Sequence, residues 1–281
     1  MTRFFQTVGI LALICVSFFV TDKTVQVVKE YDDVMIAIRQ KKEIYEVKAI
    51  DATIKDNTIR PGKKGKTIDV NKSYSKMKQY GKFNESLLEF KETKPELSIE
   101  NNKNLYVIGG NTKEQKVSLI FLIEQGEPYD KLLDILEDKQ VKANFFITSE
   151  WLETNNDTMM EWMKKGHIIG NLGENRDYKS ASFPWVNTII EKIGGQKTGY
   201  CYLETANPDS LKLCSYASNY TIMPSIVTKQ NITQEVKDSI TNGSIISITP
   251  TDAALKELPV MISTILAKGY KIVTLSELLE E

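Results

Sequence analysis

From Lys116 to the C-terminus, apolar runs of strand length alternate with longer segments of helical period, and no other feature restricts the fold as strongly. The candidate strands are 117–123, 141–147, 167–172, 198–203, 221–227, 244–249 and 271–275. Candidate helices lie between them at 129–137, 150–165, 184–193, 209–218, 234–240 and 255–267. A run such as VSLIFLI at 117–123 has almost no polar alternation, so both of its faces must be covered. A parallel sheet flanked by helices meets that demand, and the repeated alternation predicts an α/β barrel or a doubly wound sheet.

The N-terminus bears on location. Residues 4–20 read FFQTVGILALICVSFFV, uncharged, with Arg3 before them and Asp22 and Lys23 after. That run is long enough to cross a bilayer. No small-x-small cleavage site follows it, since Ser17 leads into Phe18, Phe19 and Val20, and Ile14 before Cys15 is bulkier than lipoprotein processing usually accepts. We therefore expect residues 1–22 to be an uncleaved anchor in the cell membrane, single-pass, with the body extracytoplasmic; a cleaved signal peptide is the alternative. Residues 23–47 follow as a stalk helix or a juxtamembrane linker, with Val25, Val28, Tyr31, Met35, Ile36 and Ile38 near a helical period.

Residues 48–110 read as a small basic α+β module. IRPGKKGKTIDV at 59–70 sets two glycines and a proline between β-prone ends, as a turn or hairpin does, and Asn71 or Ser73 can cap a helix running to Met77 and Tyr80 before Gly81 stops it. Arg60, Lys63, Lys64, Lys66, Lys72, Lys76, Lys78 and Lys82 face only Asp69 within that interval. Such a stretch is either a solvated lysine-rich face or a surface for anionic lipid headgroups or an acidic wall polymer. The chain as a whole is balanced, with 36 basic and 37 acidic side chains, and only Tyr74 and Tyr80 interleave the lysines, so nucleic acid is not an expected partner.

His167 is the single histidine, which excludes any mechanism needing two imidazoles from one chain. Ser149, Ser247 and Thr249 offer hydroxyls, but no GxSxG elbow surrounds them. Cys201 and Cys214, in a strand and the helix after it, either pair as a disulfide or remain two buried thiols. Trp151 and Trp162, with Leu152, Met159 and Met163, read as aromatics of one helix, in core packing ahead of a sugar-stacking platform.

Five segments, in order and register over roughly 116–279, resemble the polysaccharide deacetylase family, the NodB-homology domain. VSLIFLIEQG (117–126) is similar to a strand that in the family ends in two aspartates and a glycine. LLDILEDKQVKANFFIT (132–148) is similar to its helix followed by a paired-Phe strand. GHIIGNLGENRDY (166–178) resembles its GHEIGNH motif with a further histidine four residues on, NGSIISIT (242–249) the strand leading to a Leu-His pair, and LPVMISTILAKGYKIVTLSELL (258–279) its terminal helix and strand. The resemblance implies a distorted parallel (β/α) barrel over residues 116–281. It also implies removal of N-acetyl groups from chitin-like or peptidoglycan sugars by a divalent metal held by one aspartate and two histidines, with a second aspartate as base.

The ligand chemistry does not carry over. The aspartate pair becomes Glu124 and Gln125, the two histidine ligands become Leu172 and Arg176, and the late catalytic histidine becomes Thr249. Leucine and arginine offer zinc no electron pair, and arginine repels it. His167 matches a family histidine that is not a ligand, and the arginine-proline motif aligns only with Tyr200-Cys201-Tyr202-Leu203. We expect no metal and no cofactor. The expected role is a catalytically inactive, membrane-anchored protein binding cell-wall glycan or an unidentified protein partner. The competing reading is a divergent deacetylase or hydrolase using Glu124 as base. Glu124, Glu127, Glu174, Glu204 and Asp252 fall after strands, where loops build the site of such folds, so they form either a rebuilt acidic cleft or a solvated rim.

Overall fold

A computed structural model describes Ser17 and residues 32–124, 129–179, 181–197 and 199–281. The expected anchor at 1–22 lies outside the described residues, apart from Ser17. Among the described residues no helix is long and apolar enough to cross a membrane. The chain forms two compact units: residues up to 49 together with 64–94, and residues 50–63 together with 95–281.

The small unit begins with α1 (Asp33–Tyr45), capped by Asp32, whose side chain accepts from the Val34 N–H at 2.9 Å. Helix α1 buries Val34, Met35 and Ile38 against Ile68, Tyr74 and Met77. It is thus a packed element of the module, where sequence reading had a stalk or linker. Strand β3 (Gly65–Ile68) pairs antiparallel with β4 (Phe90–Thr93). Between them α2 (Val70–Met77) is capped by Asp69, rather than by Asn71 or Ser73, and Gly81 at φ 62° ends the 3-10 turn after it.

The other part of the expected 48–110 module belongs to the large unit. Strands β1 (Thr53–Lys55) and β2 (Thr58–Arg60) form a hairpin turning at Asp56, and β2 runs parallel to β5 (Tyr106–Val107). Of the turn or hairpin expected across 59–70, the hairpin does not form: its two ends enter different units, with β3 finding its partner at 90–93. Local turn residues signalled a change of direction but carried no information on which strand would be met next.

The large unit's sheet runs β1-β2-β5-β10-β9-β8-β7-β6-β12-β11, with β13 (Lys271–Ile272) also pairing β6; all contacts except the β1–β2 hairpin are parallel. Here β6 is Lys116–Ile123, β7 Asn144–Thr148, β8 Ile168–Gly173, β9 Tyr200–Tyr202, β10 Tyr220–Ile222, β11 Ile226–Val227 and β12 Ile245–Ile248. Intervening helices are α3 (Tyr129–Asp138), α4 (Ser149–Thr154), α5 (Asn156–Lys164), α6 (Ser182–Lys192), α7 (Pro208–Tyr216), α8 (Ile232–Ser239) and α9 (Asp252–Ala267), and α10 (Leu275–Leu278) closes the chain. Alternate residues face opposite ways. Leu119, Phe121, Phe145, Ile147, Ile246 and Ile248 pack under the helices with Leu136, Trp162, Leu258 and Ile262. Ile120, Leu122, Phe146, Leu172, Tyr202 and Ile245 fill the other face. The order is an open path from β1 to β11, so the distorted parallel barrel expected over 116–281 is instead a half-barrel covered by helices.

Two expected elements are split. The helix at 150–165 breaks at Asn155 (φ −129°, ψ 30°), whose amide donates to the Trp151 carbonyl at 2.8 Å while its oxygen accepts from the Tyr129 hydroxyl at 3.2 Å. Trp151 and Trp162 consequently sit on two helices, stacked at 4.9 Å in the core. The strand at 221–227 breaks around Pro224, which has no N–H to continue a ladder.

Candidate functional site

Strands β6, β7 and β8 end on one side of the sheet, and a cleft of about 430 Å³ opens there, lined by Glu124, Thr148, Glu150, Asn175 and Arg176. Its geometry is set by the turn after β8. The Glu174 N–H donates to the Asp177 carbonyl at 3.1 Å and the Asp177 N–H to the Glu174 carbonyl at 2.7 Å, closing a two-residue turn on Asn175 (φ 48°) and Arg176 (φ 61°). Both central residues are left-handed, as a tight hairpin turn demands. Asparagine tolerates this well, but arginine does so at a cost of about 1–2 kcal/mol. Gly173 (φ 77°) leads in, because a Cβ there would lie 2.5 Å from the Asp177 carbonyl oxygen.

The strained turn aims Arg176 at the carboxylate end of β6, where its Nε donates to Glu124 Oε1 at 2.8 Å. Partial burial opposes the guanidinium's charge, but the bond to Glu124 and that carboxylate's negative charge outweigh it and hold Arg176 above its ordinary range. Arg176, at a position where the resemblance implies a histidine ligand, thus holds Glu124, at a position where it implies an aspartate.

Leu172 is wholly buried beside Phe146 and Tyr202. Thr249 follows β12 and is half-buried; two residues earlier, Ser247 donates to the Tyr202 hydroxyl at 3.0 Å. Gln125 and Glu127 lie outside the described residues. A divalent cation placed among these groups would meet hydrocarbon at one family ligand position and a paired guanidinium at another, so the residues present do not fit such an ion. Among the described residues no three His, Cys, Asp or Glu side chains could jointly hold one.

Of the other acids, Glu127 lies outside the described residues, and Glu204 is near enough to Arg176 to favour its charge. Glu174 accepts from the Ser182 hydroxyl at 3.2 Å, Glu204 is exposed, and Asp252 pairs with Lys131 at 3.2 Å in a groove with Ile135 and Lys256. Sequence reasoning missed Glu150, which lines the cleft; its place two residues past a strand end was the available signal. It also missed Tyr178, whose buried hydroxyl accepts from the Tyr202 N–H at 2.9 Å and lies 2.7 Å from the Tyr202 carbonyl and 3.1 Å from that of Asn171, clasping β8 to β9. Those partners lie seven and twenty-four residues away, and no local pattern announces them.

The basic residues divide between the units. Arg60 is in the large unit, donating to the Gly110 carbonyl at 3.2 Å, and Lys63 pairs with Glu114 at 2.5 Å. Lys64 meets Glu92, Lys72 meets Asp69 at 3.9 Å, Lys76 meets Glu89, and Lys66 and Lys78 sit over the Phe90 and Tyr74 rings; Lys82 is exposed. Acids from outside the interval therefore answer several of these lysines.

His167 is buried, and its Nδ1 accepts the Ala143 N–H at 3.1 Å, so the ring must be neutral. Burial first, then Lys142 and Lys165, lower its pKa to about 4. The unfolded chain binds this proton near pH 6.5, so the contribution to stability is complete above that value and is lost as pH falls toward 4, at up to about 3 kcal/mol in total. Urea unfolding between pH 7 and 4 should show this slope in the native protein and a shallower one in His167→Gln; equal slopes would refute the assignment.

Cys201 and Cys214 form a disulfide between β9 and α7, with Cα atoms 6.3 Å apart.

The sequence profile described as Polysaccharide deacetylase matches residues 109–202. Uncharacterized protein YlxY of Bacillus subtilis is 29% identical over 278 residues, covering 92% of this chain and 87% of that protein. Among solved structures, the CE4 family pseudoenzyme BA3943 of Bacillus anthracis is 25% identical with a TM-score of 0.66, covering 89% of this chain and 96% of its own. A mutant of that pseudoenzyme described as having restored enzymatic activity matches with the same TM-score. A family 4 carbohydrate esterase from Bacillus anthracis is 26% identical, covering 61% of this chain and 85% of its own, with a TM-score of 0.52.

Proposed function

The chain belongs to the polysaccharide deacetylase family, and from that premise we propose that it is a non-catalytic member, anchored in the cell membrane by residues 4–20, whose extracytoplasmic cleft binds cell-wall glycan without turning it over. The observation that carries this reading is the Arg176–Glu124 ion pair, together with Leu172 in the apolar core. The base position spends its carboxylate on a guanidinium, and two ligand positions offer no electron pair. Likeness to a pseudoenzyme over most of the chain supports it. The disulfide and the uncharged N-terminal run both favour the oxidising side of a membrane.

What remains to such a cleft is recognition: guanidinium N–H donors beside the carboxylates of Glu124 and Glu150 suit the hydroxyl and amide groups of an N-acetylated sugar. The full chain in detergent micelles, incubated with zinc and dialysed, should retain no stoichiometric metal by mass spectrometry, release no acetate from an N-acetylglucosamine oligomer, and bind that oligomer in calorimetry, more weakly after Arg176→Ala. Acetate release that disappears in Glu124→Gln while the fold persists would replace this reading with that of a divergent hydrolase.

A further inference from the structure

On the far side of the large unit from the cleft, where β9 and β10 begin, a second cavity of about 390 Å³ opens. Its wall carries Tyr200, which is 3% exposed, and Tyr220, their ring centroids 6.1 Å apart. Among the described residues neither hydroxyl has a hydrogen-bond partner. Asn219, 4% exposed, donates from Nδ2 to Asn187 Oδ1 at 3.1 Å. Its own Oδ1 has no donor among the described residues and packs so closely over Gly199 that a Cβ there would come within 1.9 Å. Asn187 Oδ1 also accepts from Asn171 at 2.9 Å, which leaves the Asn187 Nδ2 free to donate.

None of these atoms is sealed away from the open space of the cavity, so they are available to donate to and accept from a ligand there. The rim is balanced, Glu100 and Glu191 against Lys103 and Lys197, which disfavours a strongly charged ligand. Lys103 is itself engaged, donating to the Ser218 carbonyl at 2.9 Å and lying 5.1 Å from the Tyr220 ring. Burial, with Glu100 and Glu281 nearby, pushes the Tyr220 hydroxyl up to about 12, and burial also raises that of Tyr200, so both remain O–H donors throughout the neutral range. Two aromatic rings, amide donors and acceptors, no net charge and a volume near the lower end of small-molecule sites match a neutral polyhydroxylated molecule.

We propose that this cavity is a saccharide site, separate from the cleft, which takes a mono- or disaccharide through Tyr200, Tyr220, Asn187 and Asn219. It stands independently of the role assigned to the cleft. The probes are N-acetylglucosamine, its β-1,4-linked dimer and glucose, with alanine as a zwitterionic control, read by saturation-transfer NMR and calorimetry on the full chain in detergent. At least one sugar is expected to bind, and Tyr200→Phe to weaken it about five- to tenfold, the value of one hydrogen bond. The lost hydroxyl has no protein partner, so this variant should melt no lower than the native chain; Tyr220→Phe gives a second reading should it not fold. The component of binding that Tyr200→Phe weakens should persist in Arg176→Ala, whose own effect on the oligomer belongs to the cleft. The proposal is overturned if no sugar binds at millimolar concentration, if alanine binds in preference, if both phenylalanine variants bind like the native chain, or if Arg176→Ala abolishes the signal, which would place the sugar in the cleft.

Discussion

Restoring the family residues at five positions, Glu124→Asp, Gln125→Asp, Leu172→His, Arg176→His and Thr249→His, is expected to give a chain that holds one zinc ion and releases acetate from N-acetylglucosamine oligomers. The native chain should do neither. The effect expected is the largest available in this protein, since acid–base groups alone contribute about 10²–10⁴-fold once positioned, and a bound cation adds the activation of water. Each change has a separate physical reason. Arg176→His removes the cation that occupies Glu124 and repels zinc, and Leu172→His supplies an electron pair where only hydrocarbon stands. The new imidazole will sit among Phe146 and Tyr202, so the metal-free variant should lose about 1–3 kcal/mol of stability, and zinc should return it. A folded five-site variant that takes up no zinc would show that the scaffold, and not only its ligands, has diverged.

Asn144→Leu should be the most destabilising single substitution away from the cleft. Asn144 is fully buried, donates from Nδ2 to Ser118 Oγ at 2.8 Å and to the Leu119 carbonyl at 2.7 Å, and accepts the Leu275 N–H at 2.7 Å. One amide thereby joins β7, β6 and the first turn of α10. Leucine fills a similar volume but strands all three partners away from water, and with each costing about 1–3 kcal/mol the total should reach about 4 kcal/mol. The fall in urea midpoint at unchanged slope measures it, and Ser118→Ala, which removes one partner, should cost far less. A loss in Asn144→Leu no greater than in Ser118→Ala would sink the argument.

Asn144 also shows where sequence reading ends. It lies in a run that reads as a strand over 141–147, because apolar runs bounded by helical patterns demand a covered sheet, and of that run residues 144–147 are strand. That one amide there ties three elements depends on residues 118, 119 and 275, which no local window contains. The same division recurs at the site. The missing ligands at 172 and 176 were legible, since residue type alone decides whether a side chain has an electron pair to give. That Arg176 would turn back on Glu124 was not, because it rests on two left-handed residues after β8 and a carboxylate fifty-two positions away. Whether the acids after the strands form a cleft or a solvated rim was not legible either, because a loop's place in the chain does not fix which way its tip leans.

What the amino-acid sequence determined by itself was the alternation of strand and helix, the chemical poverty of the ligand positions and the sulfur pair able to bridge β9 and α7. These follow from side-chain chemistry and from periods of two and 3.6 residues, which are local properties. Only the tertiary structure decided that residues 33–49 join a module with 64–94, that Glu124 is held by Arg176, and that Tyr200, Asn187 and Asn219 enclose a cavity. Each of these brings together groups far apart in the chain, and such meetings are fixed by packing and by the pairing of buried polar atoms, forces that act on distance in space and not on separation in sequence.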